Sequence, residues 1–149
     1  MTDCNKEIVG LLSSEHLDGV AKIEAESFSS PWSKNALLHL LTGDNFGVAV
    51  TVGEKVVAYG GVSAVIPEGD ITNVATLPEY RRQGYGERVV SAIIRESEKR
   101  GIRSLYLEVR RSNAAAIALY EKLGFVAIGE RKNFYSAPKE DAVLMKREI

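Results

Sequence analysis

The 149-residue sequence predicts an α/β protein, a single domain built on a central mixed, mostly antiparallel sheet of about seven strands flanked by about four helices. Three observations carry this expectation. The runs Phe46–Val52, Lys55–Ile66 and Ile71–Leu77 follow one another with short turns between them, which reads as an antiparallel meander. Beyond Gly86 the pattern changes to helix, strand, helix, strand, which mixes the sheet and places helices on its faces. Finally, 45% hydrophobic and 26% charged residues in a chain of this length suit one globular core.

The elements can be justified in order. Lys6–Leu12 forms a first strand, and Ser14 caps a helix whose Leu17, Val20, Ala21, Ile23 and Ala25 share a face. The stretch Ser29-Ser30-Pro31-Trp32-Ser33 breaks it. Ser33 caps a second helix, with a stripe of Ala36, Leu37, Leu40 and Leu41 that ends at Gly43. Gly53-Glu54 is a hairpin turn, and Pro67-Glu68-Gly69-Asp70 is a second turn by composition. The loop Arg81–Gly86 opens a helix bearing Val89, Val90, Ile93 and Ile94, which ends near Gly101. Then come a strand over Ile102–Val109, a helix from about Asn113 to Leu123, a turn at Gly124-Phe125 into another strand, and a last strand around Ala142–Met145.

Charge and cysteine usage exclude several classes. A net charge of −1, with both signs interspersed, argues against direct nucleic-acid binding. No run approaches the roughly 20 apolar residues of a membrane span, and the first residues lack a secretory pattern. The cytoplasm is the expected location. The lone Cys4 has no partner for an intrachain disulfide, and His16 and His39 lack ligand-type spacing, so no metal is expected.

The most informative segment is Arg81-Arg82-Gln83-Gly84-Tyr85-Gly86-Glu87. A strand feeds a glycine-containing loop and a helix starts at once, so main-chain N–H groups and the positive end of the helix dipole meet there. Such a place suits a phosphate, with Arg81 and Arg82 expected to add positive charge. A P-loop is excluded because Glu87-Arg88 follows Gly86 in place of Lys-Ser/Thr. A dinucleotide fingerprint is excluded because Val89 stands where its third glycine belongs. A plain glycine-softened turn remains open on the residues alone.

Arg81-x-x-Gly84-x-Gly86 resembles the acetyl-CoA signature of the GNAT superfamily of acetyltransferases. The likeness extends to Leu107-Glu108-Val109-Arg110, to Ser112 through Phe125, to Pro31-Trp32-Ser33, to Arg131-Lys132-Asn133-Phe134-Tyr135 and to Glu140-Asp141-Ala142, nearly the whole chain. Within the superfamily these segments are similar to the enzymes that acetylate the N-terminal alanine of small-subunit ribosomal protein eighteen. The resemblance implies acetyl-CoA as co-substrate and a protein N-terminus as acceptor. It implies that the backbone of Val74, Ala75 and Thr76 lines the acetyl and pantetheine arm. Arg82, Gln83, Gly84, Tyr85, Gly86 and Glu87 would hold the pyrophosphate, and Asn113 would touch the pantetheine arm. Glu108 matches the general base and Tyr120 the general acid. One departure is Ala75-Thr76-Leu77-Pro78, where many relatives have valine-aspartate before the proline.

The residue types suit that chemistry. An α-amine, with a pKa of roughly 8, is easier to deprotonate than a lysine at roughly 10.4. A carboxylate can take its proton, a phenol can protonate the departing thiolate, and a main-chain N–H can polarise the thioester carbonyl. Each residue also has a plain alternative. Glu108 could pair with Arg110 or Arg131, Tyr120 shares helical spacing with Ile117 and Leu123, Asn113 could be only a helix cap, and Trp32 could be a packing anchor. An enzyme acting on lysine or a small amine, and a non-catalytic acyl-CoA-binding module, stay open beside the N-terminal acetyltransferase. The sequence leaves the oligomeric state open, and a monomer is compatible with it.

Overall fold

Residues 6–149 are described by a computed structural model, and the expectation for Cys4 lies outside that range. The strands are β1 (Glu7–Leu11), β2 (Phe46–Val52), β3 (Lys55–Val65), β4 (Glu68–Thr76), β5 (Ser104–Arg110), β6 (Val126–Tyr135) and β7 (Glu140–Glu148). The α-helices are α1 (Leu17–Ser27), α2 (Lys34–Leu38), α3 (Tyr85–Arg100) and α4 (Ala114–Lys122). The strands form one sheet in the order β1-β2-β3-β4-β5-β7-β6. All neighbours are antiparallel except β4 and β5, which run parallel across the α3 crossover. The mixed, mostly antiparallel sheet is as the sequence predicts.

Adjacent glycines in β3 show how the layers are arranged. A Cβ on Gly60 would meet Val89 and Ile93 of α3, whereas one on Gly61 would meet Leu40. Successive strand residues point to opposite faces, so α1 and α2 cover one side and α3 the other. Val57, Ala58 and Tyr59 lie between these layers with no exposed surface. Leu17, Val20, Ile23, Leu37 and Leu40 close one side, and Val89, Val90 and Ile93 close the other. Each such side chain contributes about 1.5–3 kcal/mol by leaving water. The edge strand β6 is exposed along nearly its whole length.

Three local readings need correction. Ser13, not Ser14, precedes the first helical turn, and its N–H donates to His16 Nδ1 at 3.0 Å. The second helix has only five α-helical residues before it tightens into a 3₁₀ turn over His39–Leu41. Its buried residues are Leu37 and Leu40, three apart, a spacing that a 3₁₀ turn aligns on one side. Ser33 does cap it, accepting the Ala36 N–H at 3.1 Å. Lastly, Gly69 and Asp70 are not a turn: they pair with Ala64 and Ser63 of β3. Gly69 reads as punctuation, yet a Cβ there would sit 3.1 Å from Val62 and 3.2 Å from Leu105, so the residue is small because the layers meet closely.

Candidate active site

The sheet opens where its two parallel strands meet. β4 and β5 pair only over Glu68–Asp70 and Ser104–Tyr106. Beyond that, Ile71–Thr76 pairs only with β3, and Leu107–Arg110 only with β7. The divergence has a local cause. Between Val62↔Ile71 and Gly60↔Val74, β4 carries one more residue than β3, a bulge at Thr72-Asn73. A bulge bends its strand and increases local twist, which swings the end of β4 away from β5. The backbone of Val74, Ala75 and Thr76 therefore lines the opening, and Glu108 stands two residues past the last paired residue of β5.

At the end of β4 the chain passes through Pro78–Tyr80 and enters α3. Gly84 has φ +84° and Arg82 has φ +64°, both left-handed. Alternation of this kind turns consecutive N–H groups toward one concavity. None of the N–H groups of residues 82 to 87 donates to an acceptor among the described residues, and the first α3 bond runs from Arg88 N–H to the Gly84 carbonyl. A run of free amides at the positive end of a 16-residue helix is a fitting seat for a diphosphate. Glu87, the acidic side chain in the first turn, is drawn aside by Lys122 of α4 at 2.8 Å. Arg81 Nε donates to the Thr76 carbonyl at 3.0 Å and its Nη2 to Ser27 Oγ at 3.3 Å, so it ties the loop to β4 and α1.

Glu108 lies on the exposed-facing side of β5. Arg131 Nε comes within 3.1 Å of its Oε2, so one plain alternative from the sequence, pairing with Arg131, is present. Arg110 instead pairs with Glu140 at 3.2 Å. The Arg131 contact is an ion pair without hydrogen-bond alignment, and Glu108 Oε2, itself buried, has no hydrogen-bond donor among the described residues. Beside the Arg131 ion pair, this oxygen keeps the capacity to accept a further hydrogen bond or a proton.

Tyr120 sits on α4 with its ring edge-on to Phe125 at 5.7 Å between centroids. It is a buried core aromatic, as its plain alternative holds, and it remains the candidate acid that the resemblance implies. Burial, and then the neighbouring Tyr135, push its pKa up to about 12. Tyr135, at the end of β6, was not a sequence candidate in its own right. Its phenol is raised by burial first and then by the charge of Glu108, so it joins Glu108 and Tyr120 in one electrostatic neighbourhood. Asn113 caps α4, accepting the Ala116 N–H at 3.1 Å, as its plain alternative holds. Trp32 packs against the core, again the plain alternative. Ser29 Oγ donates to the Ala137 carbonyl at 3.4 Å, joining the α1–α2 loop to the β6–β7 turn.

No group of three or more His, Cys, Asp or Glu residues among those described could hold a metal ion, and no described helix is long and apolar enough to cross a membrane. A family model described as the acetyltransferase (GNAT) family matches residues 7–125. The chain is 37% identical over 143 residues to the ribosomal protein bS18-alanine N-acetyltransferase of Escherichia coli K12, covering 95% of this chain and 97% of that one. A crystal structure of the Escherichia coli ribosomal-protein-S18-alanine N-acetyltransferase superposes with a TM-score of 0.89 at 36% identity, over 96% and 94% of the two chains. Ard1 from Thermoplasma volcanium superposes with a TM-score of 0.84 at 25% identity, over 96% and 97%. A sheet split at a bulge, free amides opening α3 and these matches lead to one assignment: the chain belongs to the GNAT family and is an acetyl-CoA-dependent N-acetyltransferase.

Proposed function

We propose that this enzyme acetylates the N-terminal α-amine of a protein, the N-terminal alanine of small-subunit ribosomal protein eighteen, and that the whole chain serves as one catalytic domain. The acceptor is supported by relatives that bear that activity in their names and align over nearly their full length.

The observation that carries the mechanism is the buried Glu108 oxygen with no donor, at the mouth of the opening. Acetyl-CoA supplies the acetyl group as a thioester. The amides of Arg82 through Glu87 hold its diphosphate, the Val74–Thr76 backbone lines the acetyl and pantetheine arm, and Asn113 touches that arm from the start of α4. Glu108 takes the proton of the attacking α-amine, directly or through one water. A main-chain N–H of β4 polarises the carbonyl as the new C–N bond forms and the C–S bond breaks. Tyr120 gives its phenolic proton to the departing sulfur, and a phenol held up to about 12 is still protonated at neutral pH.

Synthetic peptides test the acceptor. A peptide beginning Ala with a free α-amine should turn over, and its N-blocked, lysine-bearing counterpart should not. Equal rates on both would assign the enzyme to side-chain or small amines. Binding of acetyl-CoA without release of CoA across a broad amine panel would make the chain a binding module.

A further inference from the structure

Glu24 is a charged residue on the apolar stripe of α1, one turn after Val20, and it has no exposed surface. Its Oε1 accepts the main-chain N–H of Trp32 at 2.7 Å. Its Oε2 accepts the Tyr59 hydroxyl at 2.5 Å and the Asn73 side-chain amide at 3.0 Å. No lysine, arginine or histidine pairs with it among the described residues. The three donors are neutral and come from three places: the α1–α2 loop, the centre of β3, and the bulge of β4. An apolar side chain at this position would serve the fold as well or better, since a buried carboxyl group is costly to desolvate. What it does uniquely is join those three places.

We propose that Glu24 is a positioning residue for the acceptor. It fixes the loop carrying Trp32 against the Thr72-Asn73 bulge, the same bulge that parts β4 from β5. The wall that receives the amine and the strand that lines the acetyl group thus keep one spacing. The proposal rests on the acceptor reading above, while its structural half can be tested without an acceptor. Trp32 is the only tryptophan in the chain, so its emission reports the loop directly.

Glu24→Gln keeps the shape but turns one acceptor oxygen into a donor. An amide oxygen can satisfy Trp32, or Tyr59 and Asn73, but not both sides. Pairing it with Asn73→Asp exchanges the roles: the glutamine oxygen again faces the Trp32 N–H and its NH₂ meets the new carboxylate. In the single variant the acceptor KM should rise roughly tenfold or more, as the loss of a hydrogen bond to a charged group implies. The acetyl-CoA KM should stay within about twofold, because the amides of α3 are untouched. Trp32 emission should shift to the red and become easier to quench with acrylamide. The double variant should bring both readouts back to within about threefold of the original protein.

A merely structural role would lower the melting temperature and leave the KM split and the emission of the folded protein unmoved; that result overturns the proposal. So does a double variant that folds and restores neither. If E24Q is unfolded by circular dichroism, Tyr59→Phe takes its place, with the same changes in smaller degree, and wild-type KM and emission there would refute the proposal. Lack of turnover of the free-amine peptide by the unaltered enzyme would refute the acceptor reading instead, and the tryptophan emission would still decide the role of Glu24.

Discussion

The two walls of the opening are built from different material. The wall formed by β4 and the start of α3 offers main chain: an unpaired strand edge and a run of free amides. The other side, on β5, α4 and β6, offers side chains, Glu108, Tyr120 and Tyr135: burial raises both phenols, and the charge of Glu108 raises Tyr135 further. A wall of amides binds an anion whatever the side chains are, provided the backbone can take left-handed φ. A wall of side chains performs chemistry only if each atom is in place. Substitutions should therefore strike the two walls differently, one in affinity for the cofactor and the other in turnover.

The largest effect should come from Glu108→Gln, which keeps shape and removes the base: kcat should fall roughly 10²–10⁴-fold with little change in acetyl-CoA KM. A fall of only a few-fold after correction for pH would move the base elsewhere. Tyr120→Phe comes next, with a loss of roughly 10²-fold in kcat and an intact fold. Turnover at the original rate would remove tyrosine from the acid role. On the main-chain wall, Gly84→Ala forces a Cβ into φ +84° and should cost about 1–2 kcal/mol of loop strain. Titration with acetyl-CoA should show a raised KM and a kcat that recovers at saturation; the opposite split would break the distinction between the walls.

A control away from both walls is Gly47→Ala in β2. Its Cβ would lie 2.8 Å from the Leu12 side chain, so the free energy of unfolding should fall by about 1–3 kcal/mol while both KM values hold. The smallest effect concerns alkaline pH. Tyr120 is raised in the folded protein from 10.0 to about 12, so its contribution to stability is complete below pH 10 and is lost as pH climbs through 12. Tyr120→Phe should flatten that part of the melting-temperature profile, and an unchanged slope would show that its phenol titrates normally.

How much of this was legible beforehand follows the same division. The amide wall could be read, because Gly84 and Gly86 between a strand and a helix leave a backbone signal in the letters themselves. Glu108 and Tyr120 came only through resemblance. A lone glutamate in a strand and a tyrosine on an apolar helical face have ordinary structural explanations, and indeed the Arg131 pairing and the Phe125 packing are both present. Tyr135 reaches the site by the return of β6, a long-range consequence of sheet order that no local pattern encodes. Glu24 did leave a signal, a carboxylate seven residues after Leu17 on the apolar stripe, but its three partners lie 8, 35 and 49 residues away. Gly69 gives no sign of its strand in the sequence, because a glycine needed for close packing has the same letter as a glycine needed for a turn.

If the opened sheet and the amides of residues 82 to 87 together seat acetyl-CoA, a crystal of this protein grown or soaked with acetyl-CoA will show it. The diphosphate should lie against those amides, and the thioester between the Val74–Thr76 backbone and the Glu108 and Tyr120 side chains. A diphosphate bound elsewhere, or a thioester out of reach of both side chains, would contradict it.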